Sequence, residues 1–428
     1  MRDIAAYAVE QLIKAGADKA AVSANKGKSE EFNIEANKFT LLRTMFNNSI
    51  SLKALVGGKK GTASVNKLDK DSIDEAVAQC ISLANSSVPD EAEDISPKQA
   101  EQHFDQTLGG SDMAKLFSRS KEYLEQVQDE FPKIMLEGFS SYFGSGEYAF
   151  VNSNGVCFSG EKENYYFTSS FLGKDGDKAS SFNYTGYSLA DLGTPFLDVG
   201  MHRRQLTESV NSIDTRMFEG KHVGKVIVTP SCSDLWWTII GCYLSDSALI
   251  EGTSRWKDSL NQKVAGDNLT MRKIPLDPRI IGGERFTGDG FLSEDFDIIK
   301  DGILMAFCLG LYGANKTGKP RAKNTSGNLE IVPGNTSLEE MIKGIDKGIL
   351  VNRFSGASPG PSGDISGVAK NSFLIENGKI ADALQETMVS FNASDVINNI
   401  AGISKEYVAD GGSVMPWCCF DGISITGK

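Results

Sequence analysis

Histidine is nearly absent from this chain of 428 residues: His103, His202 and His222 are the whole supply. They lie far apart in sequence, and none has a second histidine at the spacing that brings two imidazoles to one helix face. The commonest local zinc patterns are thereby excluded. Long apolar runs are missing too. No stretch approaches the ~20 residues of a membrane-spanning helix, so no membrane partner is expected. The opening stretch MRDIAAYAVEQLIKAGAD lacks the basic segment and apolar core of a secretory leader. It carries Ile4, Ala8 and Leu12 in helical step instead. Positive charge is in deficit: the net charge of −12 argues against a nucleic-acid partner. Cysteine is present without a framework. Seven scattered cysteines, an odd number, fit a reducing cytoplasm and free, mostly buried thiols. No short repeat period is visible.

What is there suits an α+β protein in two halves, residues 1–215 and 216–428, of mixed helices and largely antiparallel sheets. The first half reads as a helix ending at Gly16, then strands at Ala20–Ser23, Glu31–Ile34, Phe39–Phe46 and Ser49–Val56. Asn47-Asn48 and Gly57-Gly58 supply hairpin turns. Ile73, Val77, Cys80, Ile81 and Ala84 mark a second helix. An acidic, polar linker spans 86–110. A helix over Ser111–Glu130 follows, then strands from Ile134 to Tyr187 broken at Asn152-Ser153-Asn154-Gly155. A helix over Thr194–Val210 closes this half.

The second half is organised around Val226–Asp246, VIVTPSCSDLWWTIIGCYLSD. An apolar strand meets a Thr-Pro-Ser break. A helix then starts at Ser233, the expected N-cap, with Asp234 in its first turn. Leu235, Trp236, Ile239, Ile240, Tyr243 and Leu244 fall at helical spacing. Trp237, Thr238, Gly241 and Cys242 are uncharged as well, so the helix reads as buried all round. Trp236 and Trp237 point to opposite flanks. Core packing plus a subunit contact accounts for the pair, and a peptide-binding aromatic surface is the sharper alternative. Downstream, Asp301-Gly302 joins strands Phe296–Ile299 and Ile303–Leu311. Ser337-Leu338-Glu339-Glu340 is a capping box. Lys347–Phe354, Ile365–Ile375, Lys379–Phe391 and Val414–Thr426 read as strands, with a turn at Asn377-Gly378 and a short helix over Ser394–Ile400.

Two motifs are decoys. Gly313 to Lys319 satisfies Gly-x4-Gly-Lys, but Pro320 replaces the hydroxyl residue that would hold magnesium, which leaves a flexible loop. The stretch Gly356–Gly363 spells Gly-x-Ser-x-Gly around Ser358. Pro359 has no N–H for an oxyanion hole, and no helix follows. The same loop, with Gly356, Pro359, Gly360, Gly363 and Asp364, reads either as a substrate-facing loop over a cleft or as a long hairpin connection. Cys232, Cys242, Cys418 and Cys419 read as small buried hydrophobes. Cys418 and Cys419 are neighbours in a strand and point to opposite faces, so both cannot easily serve one metal.

The order of several short motifs resembles the TldD/PmbA family over nearly the whole chain. They are Gly16-Ala17, Gly57-Gly58-Lys59-Lys60-Gly61, the Asn152–Gly155 turn, Gly302-Ile303-Leu304, Gly348-Ile349-Leu350-Val351, Gly363-Asp364-Ile365-Ser366-Gly367 and Ile375-Glu376-Asn377-Gly378-Lys379. In the active branch of that family, the helix after the first strand of the second half carries His-Glu-x-x-x-His and holds zinc for peptide hydrolysis. Laid on this chain, those positions are Trp237, Thr238 and Cys242. The family's further cysteine ligand precedes the last strand, and the matching segment Glu406–Pro416 has none. The resemblance therefore implies a PmbA/TldE-like subunit with no catalytic residue, cofactor or metal of its own. It would be paired in the cytoplasm with a TldD-like, zinc-bearing subunit, or with itself, on a peptide substrate. Two alternatives stay open. One is a homodimeric peptide-binding scaffold; the other is a peptidase with an unconventional metal site. Some relatives are called modulators of DNA gyrase, and this composition lends no support to DNA contact.

Overall fold

The computed structural model describes residues 1–356 and 359–427. Its elements are helices set against two mainly antiparallel sheets, an α+β arrangement. Helix α1 (Arg2–Lys14) buries Ala5, Ala8, Val9 and Leu12 and stops before Gly16, whose φ is 103°. The first sheet follows with β1 (Lys19–Glu35), β2 (Lys38–Val56), β3 (Lys59–Val65), β4 (Gln102–Gln106), β5 (Ile134–Asn152), β6 (Cys157–Asp175), β7 (Lys178–Ala179) and β8 (Asn183–Leu189). Its order is β3-β2-β1-β5-β6-β4, with β7 and β8 also on β6.

The expected turn at Asn47-Asn48 does not form. Both asparagines lie inside β2, opposite Lys26 and Gly27 of β1. The chain reverses instead at Ala36-Asn37, with φ of 46° and 61°. Seventeen and nineteen residues pair along one ladder, and this outweighs the turn preference of two asparagines. The Gly57-Gly58 turn and the Asn152–Gly155 break are where the local residues placed them.

Even-numbered residues of β1 face the helices. Ala20, Val22 and Ala24 pack under α1 and α2 (Lys70–Ser86), whose N-cap Asp69 accepts from Ser72 N at 3.0 Å. Phe32 and Ile34 pack with α3 (Met113–Glu130) and α4 (His202–Asn211) in an aromatic core around Tyr123, Phe139, Phe167 and Phe196. The single helix expected over Thr194–Val210 is a 3-10 turn at Phe196–Asp198 followed by α4.

The second sheet contains β9 (Thr215–Arg216), β10 (Lys221–Val228), β11 (Met271–Lys273), β12 (Phe296–Lys300), β13 (Ile303–Leu304), β14 (Leu329–Ile331), β15 (Lys347–Gly356), β16 (Asp364–Glu376), β17 (Lys379–Leu384), β18 (Thr387–Asn392), β19 (Ile400–Ala409) and β20 (Val414–Thr426). Strand β10 lies in the middle, parallel to β15 and antiparallel to β20. Alternation along β20 divides the interior. Cys418 and Phe420 enter the large core with helices α5 (Asp234–Ile239), α6 (Asp246–Ile250) and α9 (Ala393–Asn398). Trp417 and Cys419 enter a second core with α8 (Leu338–Lys343). The turns at Asp301-Gly302 and Asn377-Gly378 have the positive φ values their residues favour. The Ser337/Glu340 capping box is formed in both directions.

Four readings are corrected. The strand expected over Ile303–Leu311 pairs only as β13, and residues 313–317 of the Gly-x4-Gly-Lys stretch lie in helix α7 (Leu311–Thr317), which Gly318 ends, rather than in a loop. The strand expected over Lys379–Phe391 is two, because β17 and β18 pair with different parts of β16. The Glu406–Pro416 segment is partly strand, since β19 runs to Ala409.

Candidate functional site

At the end of β10, Thr229 N bonds Val351 O at 3.1 Å and Cys232 N bonds Thr229 O at 2.9 Å. These turn the chain into α5. Ser233 does not cap it with its side chain. Its backbone is already helical (φ −72°, ψ −15°), so Oγ cannot reach an unpaired N–H. After Ile239 the winding loosens into a π-turn, Ile240–Leu244. That turn sets which residues share a face. In an α-helix, residues five apart diverge by about 140°. A π-turn holds more residues per turn, and Trp237 and Cys242 line the same cavity.

The helix is not buried all round, as its composition suggested. Leu235, Trp236, Ile239, Ile240, Tyr243 and Leu244 are buried, with Trp236 6.0 Å from the ring of Phe420. Asp234, Trp237 and Gly241 are exposed, with Thr238 and Cys242 partly so. This open face lines a cavity of about 610 Å³. Trp237, Thr238 and Cys242 all contribute to it. Phe354, Pro361 and Phe391 line it as well.

Of the loop residues singled out in the sequence, Gly356, Pro359 and Gly360 line this cavity. Gly363 and Asp364 are not among its walls. They anchor the base of the hairpin. The amide of Gly363 bonds Gly360 O at 2.9 Å, and its carbonyl accepts from Ala393 N at 2.8 Å. Asp364 accepts from Asn392 Nδ2 at 2.9 Å. Hydrogen bonds from Asn392 and Ser362 hold the exposed Asp364 carboxyl below its usual range. Ser358, the centre of the Gly-x-Ser-x-Gly match, lies outside the described residues.

The donors at the helix do not fit zinc. Trp237 and Thr238 offer no suitable ligand, and Cys242 offers one thiol. Its Sγ lies 3.7 Å from Gly360 O, and burial pushes its pKa up. Among the described residues, no group of three or more His, Cys, Asp or Glu converges as a metal site. Burial drives the thiols of Cys232 and Cys419 up to about 12 and about 11, and raises that of Cys418 too. These behave as small apolar groups. His202 is fully buried between Phe196 O (3.0 Å) and Tyr123 Oη (3.1 Å). His103 and His222 sit on separate strands, β4 and β10.

Solved structures share this architecture. TldE from Thermococcus kodakarensis superposes with a TM-score of 0.85 at 17% identity, covering 99% of this chain and 100% of that one. A protein from Bacteroides thetaiotaomicron, described as a candidate modulator of DNA gyrase, gives 0.86 at 22% identity, covering 100% and 98%. In sequence, the metalloprotease PmbA of Escherichia coli O157:H7 is 24% identical over 81% of this chain and 79% of its own length. Residues 221–427 match the PmbA/TldA metallopeptidase C-terminal domain, and residues 20–84 match the PmbA/TldA metallopeptidase domain 1. The chain belongs to the PmbA/TldD metallopeptidase family, as a PmbA/TldE-like member.

Proposed function

We propose that this chain is a non-hydrolytic, peptide-holding subunit of a cytoplasmic zinc peptidase, whose metal resides in a TldD-like partner. The observation that carries this reading is the open face of α5 and its π-turn. A face that borders a cavity of about 610 Å³ presents an indole, a hydroxyl and one thiol at the positions where the active branch of the family has two imidazoles and a carboxylate. A threonine hydroxyl cannot serve as general base near neutral pH, so no water is activated at Thr238. What these side chains do supply is a seat. Trp237, Phe354 and Phe391 offer aromatic surface for an apolar side chain of an extended peptide.

Affinity capture of this chain from its native extract, with mass spectrometry of bound proteins, tests the reading. The expected result is a paralogue bearing His-Glu-x-x-x-His, recovered in stoichiometric amount. Recovery of this chain alone, with bound zinc and chelator-sensitive cleavage, would overturn it in favour of a self-sufficient peptidase. Recovery alone without zinc would instead favour a homodimeric scaffold.

A further inference from the structure

Consecutive residues of a strand point to opposite faces. On β15, Phe354 faces the main cavity and Arg353 faces a second one, of about 160 Å³. Asn183, Tyr184, Ser231, Ser233 and Asp410 complete the walls of this smaller cavity that matter here. It lies where β8 of the first sheet meets β15 of the second.

Arg353 is partly buried, with the ring of Phe182 stacked on its guanidinium at 4.1 Å. Its side chain makes no hydrogen bond and no ion pair with any described residue, and Nε is sealed from solvent without a partner. Asn183 is 2% exposed. Its Oδ1 accepts from Tyr184 N at 3.0 Å, which leaves Nδ2 as a buried donor with nothing to bond. Neither nearby acid answers these groups. Asp410 is taken up by Gly412 N, Ser413 N and the Ser413 hydroxyl. Glu386 is paired with Lys370, the register partner of Arg353 on β16. Among the described residues the site thus holds a guanidinium with no ion pair and a second, neutral donor, with the unpaired Asn352 Oδ1 and the Asp410 carboxylate also on its wall. Burial lowers the pKa of Arg353 from its ordinary value, the mark of a cation short of solvation and counter-charge.

We infer that this cavity is a carboxylate-binding site, with Arg353 and Asn183 as its donors. The stacked Phe182 closes one face of the guanidinium, so partners must approach in its plane, which suits a planar carboxylate. Asp410, held by Gly412 and Ser413, repels a phosphate dianion about twice as strongly as a carboxylate monoanion, so the monoanion is the better match to Arg353. The carboxylate could belong to the C-terminus of a peptide or to a free small organic acid. The site is separate from the main cavity and does not depend on the subunit reading.

The test is a titration of the full-length chain, labelled with 15N-arginine, following the Arg353 Nε–H resonance. The probes are sodium acetate, N-acetyl-alanyl-alanine as free acid, its carboxamide, and inorganic phosphate. Both carboxylates are expected to shift the resonance saturably, and the carboxamide is not. Binding of the free acid about tenfold tighter than acetate identifies a chain terminus as the ligand, and equal binding identifies a small acid. Equal shifts from acid and carboxamide, a response to phosphate alone, or no response overturn the inference. Asn183→Asp keeps the side-chain shape and places a carboxylate beside the guanidinium. It is expected to abolish acetate binding without lowering the melting temperature. Unchanged acetate binding in that variant would also overturn the inference.

Discussion

Trp237, Thr238 and Cys242 share one cavity wall, so the substitutions Trp237→His, Thr238→Glu and Cys242→His together test the geometry directly. The triple variant offers two imidazoles without the family's further cysteine ligand, so it is expected to bind zinc weakly, at millimolar zinc in a calorimetric titration, while the parent chain shows no such binding. Binding no stronger than that of Trp237→His alone would mean that the two imidazoles do not converge. His202 carries a different consequence. Burial pushes its imidazole from 6.5 down to about 4, so it stays neutral in the fold while the unfolded chain takes up a proton. Its contribution to stability is complete above pH 6.5 and is lost as pH falls toward 4, by roughly 3 kcal/mol. Denaturant titrations across that range should show a shallower decline for His202→Gln than for the parent. An equal slope in both would mean that His202 is not the group responsible.

Among the elements, the helix around the π-turn and the β15–β16 hairpin form the two walls of the cavity. Two glycines, Gly241 on the helix wall and Gly363 at the base of the hairpin, should respond with opposite sign. Gly363 has a φ of 78°, and an added Cβ would meet Tyr243 Oη at 1.7 Å. Gly363→Ala is therefore expected to cost about 1–3 kcal/mol, read as a lower melting temperature. Gly241 has no atom within 4 Å of an added Cβ. Gly241→Ala is expected to be neutral or to stabilise by up to about 1 kcal/mol. Destabilisation by Gly241→Ala would point to an occupant on that face. Local chemistry made parts of these elements legible. Asp301-Gly302, Asn377-Gly378, the Ser337/Glu340 box and the whole of β20 follow from nearest neighbours. The π-turn does not, because no residue preference distinguishes it from an α-helix. The open face of the helix was hidden for a similar reason: Trp237 and Gly241 are apolar yet exposed, since the wall facing them stands off across a cavity.

At the scale of the molecule, the two sheets are joined across a broad seam. Asp90 accepts from Lys316 and Tyr312 on α7, and with the Ala92 amide these bonds hold its carboxyl down to about 2. Gln99 donates to Gly290 O, Gln106 to Gly283 O, and Asn371 to Phe182 O. Val408 packs against the aromatic core of the first sheet, and Met201 lies in the α8 core of the second. Such cross-packing couples the halves. Calorimetry of the full chain is expected to give one cooperative unfolding transition, with residues 1–215 and 216–428 each less stable when expressed apart. Two transitions with unchanged midpoints in the separate halves would show independent domains.

By itself the sequence determined the family, many of the strands, the turns at Gly57-Gly58, Asp301-Gly302 and Asn377-Gly378 and the Ser337/Glu340 cap, because each rests on residue identity. Tertiary structure decided the rest. The long β1–β2 ladder overrode two asparagines, since summed pairing outweighs a local preference. The π-turn set which side chains share a wall. Arg353 and Asn183 met in one cavity although 170 residues separate the arginine from the asparagine. No local pattern encodes that meeting: it exists only because β8 of the first sheet and β15 of the second line one cavity.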